Sequence, residues 1–421
     1  MLRVSIAQAR PGMVLALPVH HPRHHDVILL RAGVTLDSHA IPRLGELFVP
    51  EVWIRHPGTE ELVRFVDPRI LASYRELTTT VGLALDTAMV QSTVQLDFVD
   101  YKRAVMSVLS RLMENPQAAV MISELVGGDR PFVRHAGNVS VLSLLMGLKL
   151  EFYLVRERPK LTPSLAREIS GLGVGAMVAD IGLTRLGPDV LERYNRTHSE
   201  DDEAWREHVK LGFEMVKGDL DPAAAAVVLH HHQHFDGTGF PAKRDGTGLV
   251  APKGSQIHIF ARIAAAADLY DRLRYPAHAP GSSDERTPPI PAVRALKLLR
   301  EPPYSNWLDP VVRLALFAVA PPYPPGSLVK LSDGRNGAVV DWSPLDPCRP
   351  VVEIIDSPVR NDGTRARVDL RKQTALCVAE IDGHDVSSDN FYPAFEGEFD
   401  LTRVGKALSN GAIKPPALVK A

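Results

Sequence analysis

Six residues in this chain have side chains that could share a divalent cation, and they follow in the order His135, Asp180, His208, His231, His232, Asp268. Imidazole mixed with carboxylate suits Zn, Mn or Fe better than Ca or Mg. The densest part is LHHHQHFDGTGFPAK, residues 229–243, with four histidines in five positions and then Asp-Gly-Thr-Gly-Phe-Pro. A solvated loop has no use for so much imidazole, whereas a metal that generates hydroxide has. Taken singly, each residue has an ordinary reading. A histidine on an apolar helix face is commonly a hydrogen-bonded core residue, and an aspartate in an Ala-rich helix is commonly a cap or an ion-pair partner. The order along one helical block carries the signal.

Each candidate sits on an element that could position it. Asp221 and Pro222 form a helix start, and AAAAVVLHHH then delivers His231 and His232 near the helix end. Neighbouring helix residues point about 100° apart, so two of them share an ion only at a helix end or between helices. Gly237 and Gly239 end the helix at once. His135 opens HAGNVSVLSLLMGL, where Val139 and Leu142 place it toward a core. Asp180 lies in GVGAMVADIGL and Asp268 in IFARIAAAADLYDRL, apolar stretches where a carboxylate needs a partner. His208 lies in DDEAWREHVKLGFEMV, with Ser199 and Asp202 at capping-box spacing.

The surrounding chain divides into five segments. Residues 1–60 hold apolar, β-branched runs such as MVLALPV and DVILLRAGVTL, a short helix in SHAIPRLGEL and a last strand in VPEVWI, a small β-rich domain. Residues 61–125 read as a helical connector that begins at Asp67-Pro68, and 126–320 as the helical domain with the candidate ligands. Residues 321–385 turn strand-like again, with a hairpin around Ser-Asp-Gly-Arg-Asn-Gly and a third strand in RPVVEIID. Residues 386–421 read as a tail. The fold class is therefore mainly α, a helical core with small β-rich N-terminal and C-terminal domains.

Composition narrows the function. A length of 421 residues with 45% hydrophobic and 23% charged residues is that of a globular protein of more than one core. A formal net charge of -2 gives no bulk electrostatic case for a nucleic-acid or membrane partner. Cys348 and Cys377 form neither a CxxC ligand set nor a disulfide framework. The N-terminus is broken at Pro11-Gly12 before a signal-like apolar core builds, and no run of about 18 apolar residues exists, so a cytoplasmic location is expected. His20, His21, His24 and His25, in HHPRHH, read as a solvated loop because no acidic or Cys ligand accompanies them.

The ordered ligands and the glycine turn together resemble the HD-GYP phosphodiesterases, a branch of the HD metal-dependent phosphohydrolases. The family run after its paired histidines is Glu-Arg-x-Asp-Gly-[ST]-Gly-Tyr-Pro, and here His231-His232 lead into Gln233-His234-Phe235-Asp236-Gly237-Thr238-Gly239-Phe240-Pro241. ARIAAAADLYD, residues 261–271, is similar to a later family segment, and WLDPVVRLAL to its closing helix. The resemblance covers most of the chain. It implies an all-helical HD-type core, one or two ions of a divalent transition metal, iron or manganese, and cyclic di-GMP or a related cyclic dinucleotide as ligand. One ion would take His135, Asp180 and Asp268. The other would take Asp180 as a bridge with His208, His231 and His232. Asp180 would be the catalytic residue, and Asp236, Gly237, Gly239, Phe240, Pro241 and Arg262 would line the substrate.

The chain also departs from the family pattern. His-Asp-x-Gly-Lys is here Ala179-Asp180-Ile181-Gly182-Leu183, which removes one imidazole and a lysine that the resemblance assigns to the substrate phosphate. Gln233 replaces a Glu, Phe240 a Tyr, and Pro131 stands where trinuclear members have a Glu. Such losses are expected to cost several kcal/mol, hence orders of magnitude in rate at about 1.4 kcal/mol per decade. The expectation is a cyclic di-GMP signalling protein with a degenerate site that acts by binding, with another signalling protein as a candidate partner. The alternatives are an active phosphodiesterase giving a linear dinucleotide or GMP, and hydrolysis of some other phosphoester.

Overall fold

The computed structural model describes residues 1–21, 27–47, 49, 51–90, 97–115, 130–246, 248–276, 280, 289–360 and 365–409. Its N-terminal part is built from β1 (Leu2–Ser5), β2 (Val19–His20), β3 (Ile28–Leu30), α1 (Ala40–Glu46) and β4 (Glu51–Ile54). β1 pairs antiparallel with β4, Leu2 opposite Ile54, and β2 pairs with β3. Alternation places Leu2, Val4, Val52 and Ile54 on a small core with Leu15 and Leu36. His20 lies in β2, while His24 and His25 lie outside the described residues.

The helical part begins at α2 (Pro68–Val90), where Asp67 Oδ1 accepts from the Arg69 N–H at 2.9 Å, as the Asp-Pro pair predicts. α2, α3 (Phe98–Glu114) and α4 (Pro131–Lys149) pack together. From Phe132 to Gly147 every α4 residue but Arg134 is buried, so α4 is the central helix. Around it lie α5 (Glu151–Glu157), α6 (Ser170–Met177), α7 (Pro188–Thr197), α8 (His208–Val216) and α9 (Pro222–His230). A hairpin, β5 (Lys243–Asp245) with β6 (Gly248–Val250), leads to α10 (Ile259–Arg274), α11 (Ala292–Leu298) and α12 (Pro310–Val319). The chain is mainly α. Among the described residues no single helix is long and apolar enough to cross a membrane.

The strands that follow are β7 (Leu328–Leu331), β8 (Asn336–Asp341), β9 (Val351–Ile354), β10 (Arg367–Asp369), β11 (Val378–Ile381) and β12 (His384–Asp385). They form one six-stranded sheet in the order β10-β9-β8-β7-β11-β12. β7 and β8 make the hairpin expected around residues 332–337. The sheet does not keep its own core. One continuous hydrophobic core runs from Val66 to Val404 and joins helices to sheet. The sheet also holds the N-terminal part, through Arg3 N–H to the Gly326 carbonyl (2.9 Å), Arg3 Nη2 to Asp382 Oδ2 (3.0 Å) and Ala338 in the small core.

Residues 386–409 are a packed element rather than the expected tail. Phe391 and Phe399 each lie 5.8 Å from the Phe317 ring, and Arg300 sits over both aromatic rings at 4.9 and 5.1 Å. α13 (Leu401–Ser409) then lies on α12. The aromatics have no regular spacing, so sequence periodicity does not reveal an anchor made of isolated large rings. The remainder of that segment lies outside the described residues.

Candidate metal centre

Asp180 occupies the turn between α6 and a 3-10 segment, Ile181–Arg185. Its carboxylate makes no cap bond to that segment, which leaves both oxygens for other partners. Oδ2 lies 3.2 Å from His135 Nε2. Oδ1 lies 3.3 Å from His231 Nε2 and 3.4 Å from His208 Nε2. Gly182 makes this approach possible, because a Cβ there would stand 1.9 Å from the His208 carbonyl oxygen. No side chain larger than hydrogen fits between Asp180's turn and the start of α8.

The imidazoles arrive from separate elements with their rings already fixed. His208 starts α8 and donates from Nδ1 to the Trp205 carbonyl at 2.7 Å. His231, the C-cap of α9, donates from Nδ1 to the Val228 carbonyl at 3.0 Å. A carbonyl can only accept, so in both rings Nδ1 is the protonated nitrogen and Nε2 is the one turned toward Asp180. His232 follows; its Nε2 is buried and makes no hydrogen bond, and neither does that of His208. His232 stacks on Phe240, with centroids 4.8 Å apart, and Trp205 stacks on Tyr194 at 4.4 Å. These rings wall the cluster from water.

His135 lies in the second turn of α4, 2% exposed, with Nε2 3.1 Å from Asp268 Oδ1 on α10. Its Nδ1 donates to Asp271 Oδ2 at 2.8 Å. Asn138 Nδ2 in turn donates to Asp271 Oδ1 (2.8 Å), and Tyr74 Oη donates to Asn138 Oδ1 (2.7 Å). This chain orients the ring in the way second partners orient a metal-bound histidine.

Two donor groups result, Asp180 with His208, His231 and His232, and His135 with Asp180 and Asp268, their ligand atoms within 4.8 Å of one another in each group. Asp180 belongs to both. The buried, unpartnered Nε2 of His232 and the carbonyl-anchored rings of His208 and His231 fit a transition ion. Burial and the crowding of carboxylates against imidazoles set the charges in the cluster. Burial alone would raise Asp180, but the surrounding imidazoles of His135, His208 and His231 hold it well below the carboxylate range. Burial likewise opposes charge on His135, but hydrogen bonds to Asp180, Asp268 and Asp271 outweigh it and hold its value well above the ordinary one. Burial, with His231, Arg272 and His208 close by, keeps His232 well below its ordinary value and hence neutral, the state a ligand needs.

The other expected site residues fall into different places. Asp236 is exposed and its Oδ1 accepts from the Thr238 N–H (2.9 Å) and Oγ1 (2.7 Å), so it closes the turn. Gly237 has φ +88°, and a Cβ on Gly239 would stand 2.3 Å from both the His232 carbonyl oxygen and the His234 nitrogen. The glycines thus fold the loop back onto the histidine run. Phe240 is stacked on His232, and the Pro241 carbonyl accepts from Gln233 Nε2 at 2.6 Å. Arg262 is a correction to the substrate expectation. It is 4% exposed, and its guanidinium is committed to Asp309 (2.6 Å), the Tyr153 hydroxyl (3.2 Å) and Glu157. It locks α5, α10 and α12 together through both terminal nitrogens, away from the donor groups.

Two further differences concern the histidines. Asp202, not Ser199, caps the turn before His208, accepting from the Ala204 and Trp205 N–H groups, while Ser199 Oγ accepts from Asp201. His230, His234 and His258 do not belong to either donor group among the described residues. His234 stacks on Trp307 at 4.0 Å, and His258 caps α10 by accepting from the Phe260 N–H (3.2 Å). Ala179 and Leu183 are buried, 4% and 2% exposed, and offer no donor. Sequence reasoning gave no role to Asp271, Asn138, Tyr74, Glu200 or Arg272. Asp271 had one legible signal, its i,i+3 spacing from Asp268 on an apolar helix.

A family model described as an HD domain matches residues 165–312, which include Asp180, His208, His231, His232 and Asp268. A cyclic di-GMP phosphodiesterase of Pseudomonas aeruginosa is 25% identical over 386 residues, 84% of this chain and 85% of that protein. A cyclic di-GMP phosphodiesterase response regulator of Xanthomonas campestris pv. campestris is 28% identical over 109 residues, 25% of this chain and 27% of that protein.

Proposed function

We propose that this chain, matched by an HD domain model over residues 165–312 and similar along most of its length to a cyclic di-GMP phosphodiesterase, is an HD-GYP-type metal-binding cyclic di-GMP signalling protein whose phosphodiesterase site is depleted and which acts by binding the dinucleotide. The observation that carries this reading is the asymmetry of the two donor groups. His208, His231, His232 and Asp180 make a four-donor set, whereas the His135, Asp180 and Asp268 set has three donors and a buried Ala179 beside it.

Iron or manganese bound there would supply a hydroxide nucleophile and polarise a phosphodiester oxygen. The chain's own residues do the rest. Asp180 holds the two donor groups in register. The Trp205 and Val228 carbonyls keep the His208 and His231 Nε2 atoms aimed inward. Asp271 fixes His135, and Phe240 with Trp205 excludes water from the imidazoles. With one imidazole missing at Ala179 and leucine in place of the phosphate lysine at 183, two-metal displacement loses several kcal/mol, or orders of magnitude in rate.

A second reading, a working phosphodiesterase, is favoured by the three donors that remain in the smaller group, the number a catalytic Zn-type site uses. The test compares wild type, Asp180→Ala and Ala179→His, purified anaerobically and loaded with Fe or Mn. Cyclic di-GMP binding is read by calorimetry and turnover by chromatography of the products. The expected result is binding by wild type with turnover no higher than that of Asp180→Ala. Wild-type turnover equal to that of Ala179→His, abolished in Asp180→Ala, would establish the second reading instead.

A further inference from the structure

Among the described residues Arg272 is the one cation that reaches into the ligand cluster. It follows Asp268 by one turn of α10, and its side chain is 14% exposed against 3% for Asp268. Nε and Nη2 donate to Asp268 Oδ2 at 2.9 and 2.6 Å, and Nη1 donates to Glu200. Glu200 Oε2 lies 3.8 Å from His232 Nδ1, so the guanidinium bridges from one donor group toward the other. An exposed i,i+4 Arg–Asp pair would be unremarked surface chemistry. This one pairs a half-buried guanidinium with a buried carboxylate that a metal would need.

We infer that Arg272 takes the place of a second ion, so that the chain binds one divalent metal, in the Asp180, His208, His231 and His232 group, with the guanidinium as a permanent counter-charge at Asp268. The charge balance follows from the side chains. The smaller group has two carboxylates, one shared with the larger group and one already neutralised by Arg272. A divalent ion placed there would face a fixed positive charge bonded to one of its own ligands. Guanidinium stays protonated at any working pH, so this block does not titrate away. The inference rests on the metal-binding part of the proposed function and explains why such a site would bind without efficient two-metal chemistry.

Metal equivalents per chain, measured by mass spectrometry, and the Mn(II) EPR spectrum test it, with circular dichroism to verify folding. Wild type and Ala179→His should each hold one equivalent and give a mononuclear spectrum. Arg272→Lys, which keeps the charge, should also hold one. Ala179→His/Arg272→Ala and Ala179→His/Arg272→Gln should hold two, with the spectrum of a coupled pair. Two equivalents in wild type, or in Ala179→His alone, would overturn the inference, because the guanidinium would not be what limits the count. One equivalent in both folded double variants would overturn it as well. If both double variants unfold, the counts in wild type, Ala179→His and Arg272→Lys still decide it. Failure of the wider reading looks different: no metal in any folded variant, or one equivalent with no cyclic di-GMP binding.

Discussion

Asp271 Oδ2 lies 2.8 Å from His135 Nδ1, and the other Asp271 oxygen is held by Asn138 at 2.8 Å. The carboxylate therefore acts on the site through the ring it orients. Replacing Asp271 with Asn keeps the shape but removes the charge that favours the Nδ1–H tautomer. In the Ala179→His/Arg272→Ala background, where the group containing His135 is free to take an ion, affinity for the second equivalent should fall about 10–100-fold, measured by competition with a chelating dye. Unchanged affinity would show that His135 is not oriented by this contact.

Gly182 tests how closely α8 must approach Asp180. A Cβ at this position would sit 1.9 Å from the His208 carbonyl oxygen and 2.5 Å from the Gly212 nitrogen. Both are backbone atoms, so relief requires a helix shift. Gly182→Ala should destabilise the fold by about 1–3 kcal/mol and weaken metal binding, because His208 moves with α8. Denaturant midpoints and metal content read the two effects. A variant as stable as wild type, with full metal content, would contradict the close packing.

Arg262 separates a packing role from a substrate role. Its partner Asp309 is buried with it and Glu157 is half-buried, so Arg262→Ala leaves carboxylates without a counter-charge. The expected loss is about 3–5 kcal/mol in urea unfolding. Under native conditions the folded fraction should bind metal as wild type does. Normal stability with lost dinucleotide binding would restore the substrate role.

His258 gives the protein a pH dependence of known sign. Its Nδ1 accepts the Phe260 N–H, which requires a neutral ring, and burial lowers its value to about 4, with the Arg158 and Arg262 charges adding to the effect. The unfolded chain binds this proton more readily, with a value of about 6.5. Stability from the cap is therefore complete above about pH 6.5 and is lost as pH falls toward 4. His258→Asn keeps a capping side chain without a titrating ring. Wild type should lose on the order of 2 kcal/mol more than His258→Asn between pH 7 and pH 4.5, read from urea midpoints at each pH. Parallel losses would place the acid sensitivity elsewhere.

Much of this architecture is written in local sequence. Asp221-Pro222 starts α9, Asp67-Pro68 starts α2, and Ser-Asp-Gly-Arg-Asn-Gly turns β7 into β8, because caps, proline and hairpin residues act within a few positions of themselves. The ordered His, Asp, His, His-His, Asp set was also visible, since imidazole and carboxylate are conspicuous in apolar helices. Tertiary structure alone decided which of these groups meet, and what else meets them. Asp271, Asn138 and Tyr74 align into one chain only when α2, α4 and α10 pack. Arg262 and Arg272 lie on the same helix, ten residues apart in sequence, yet one is a packing cation and the other reaches the ligand cluster. Helical spacing sets the direction in which each points along its own helix. The partner it finds there is supplied by other helices, across sequence distances that no local pattern encodes.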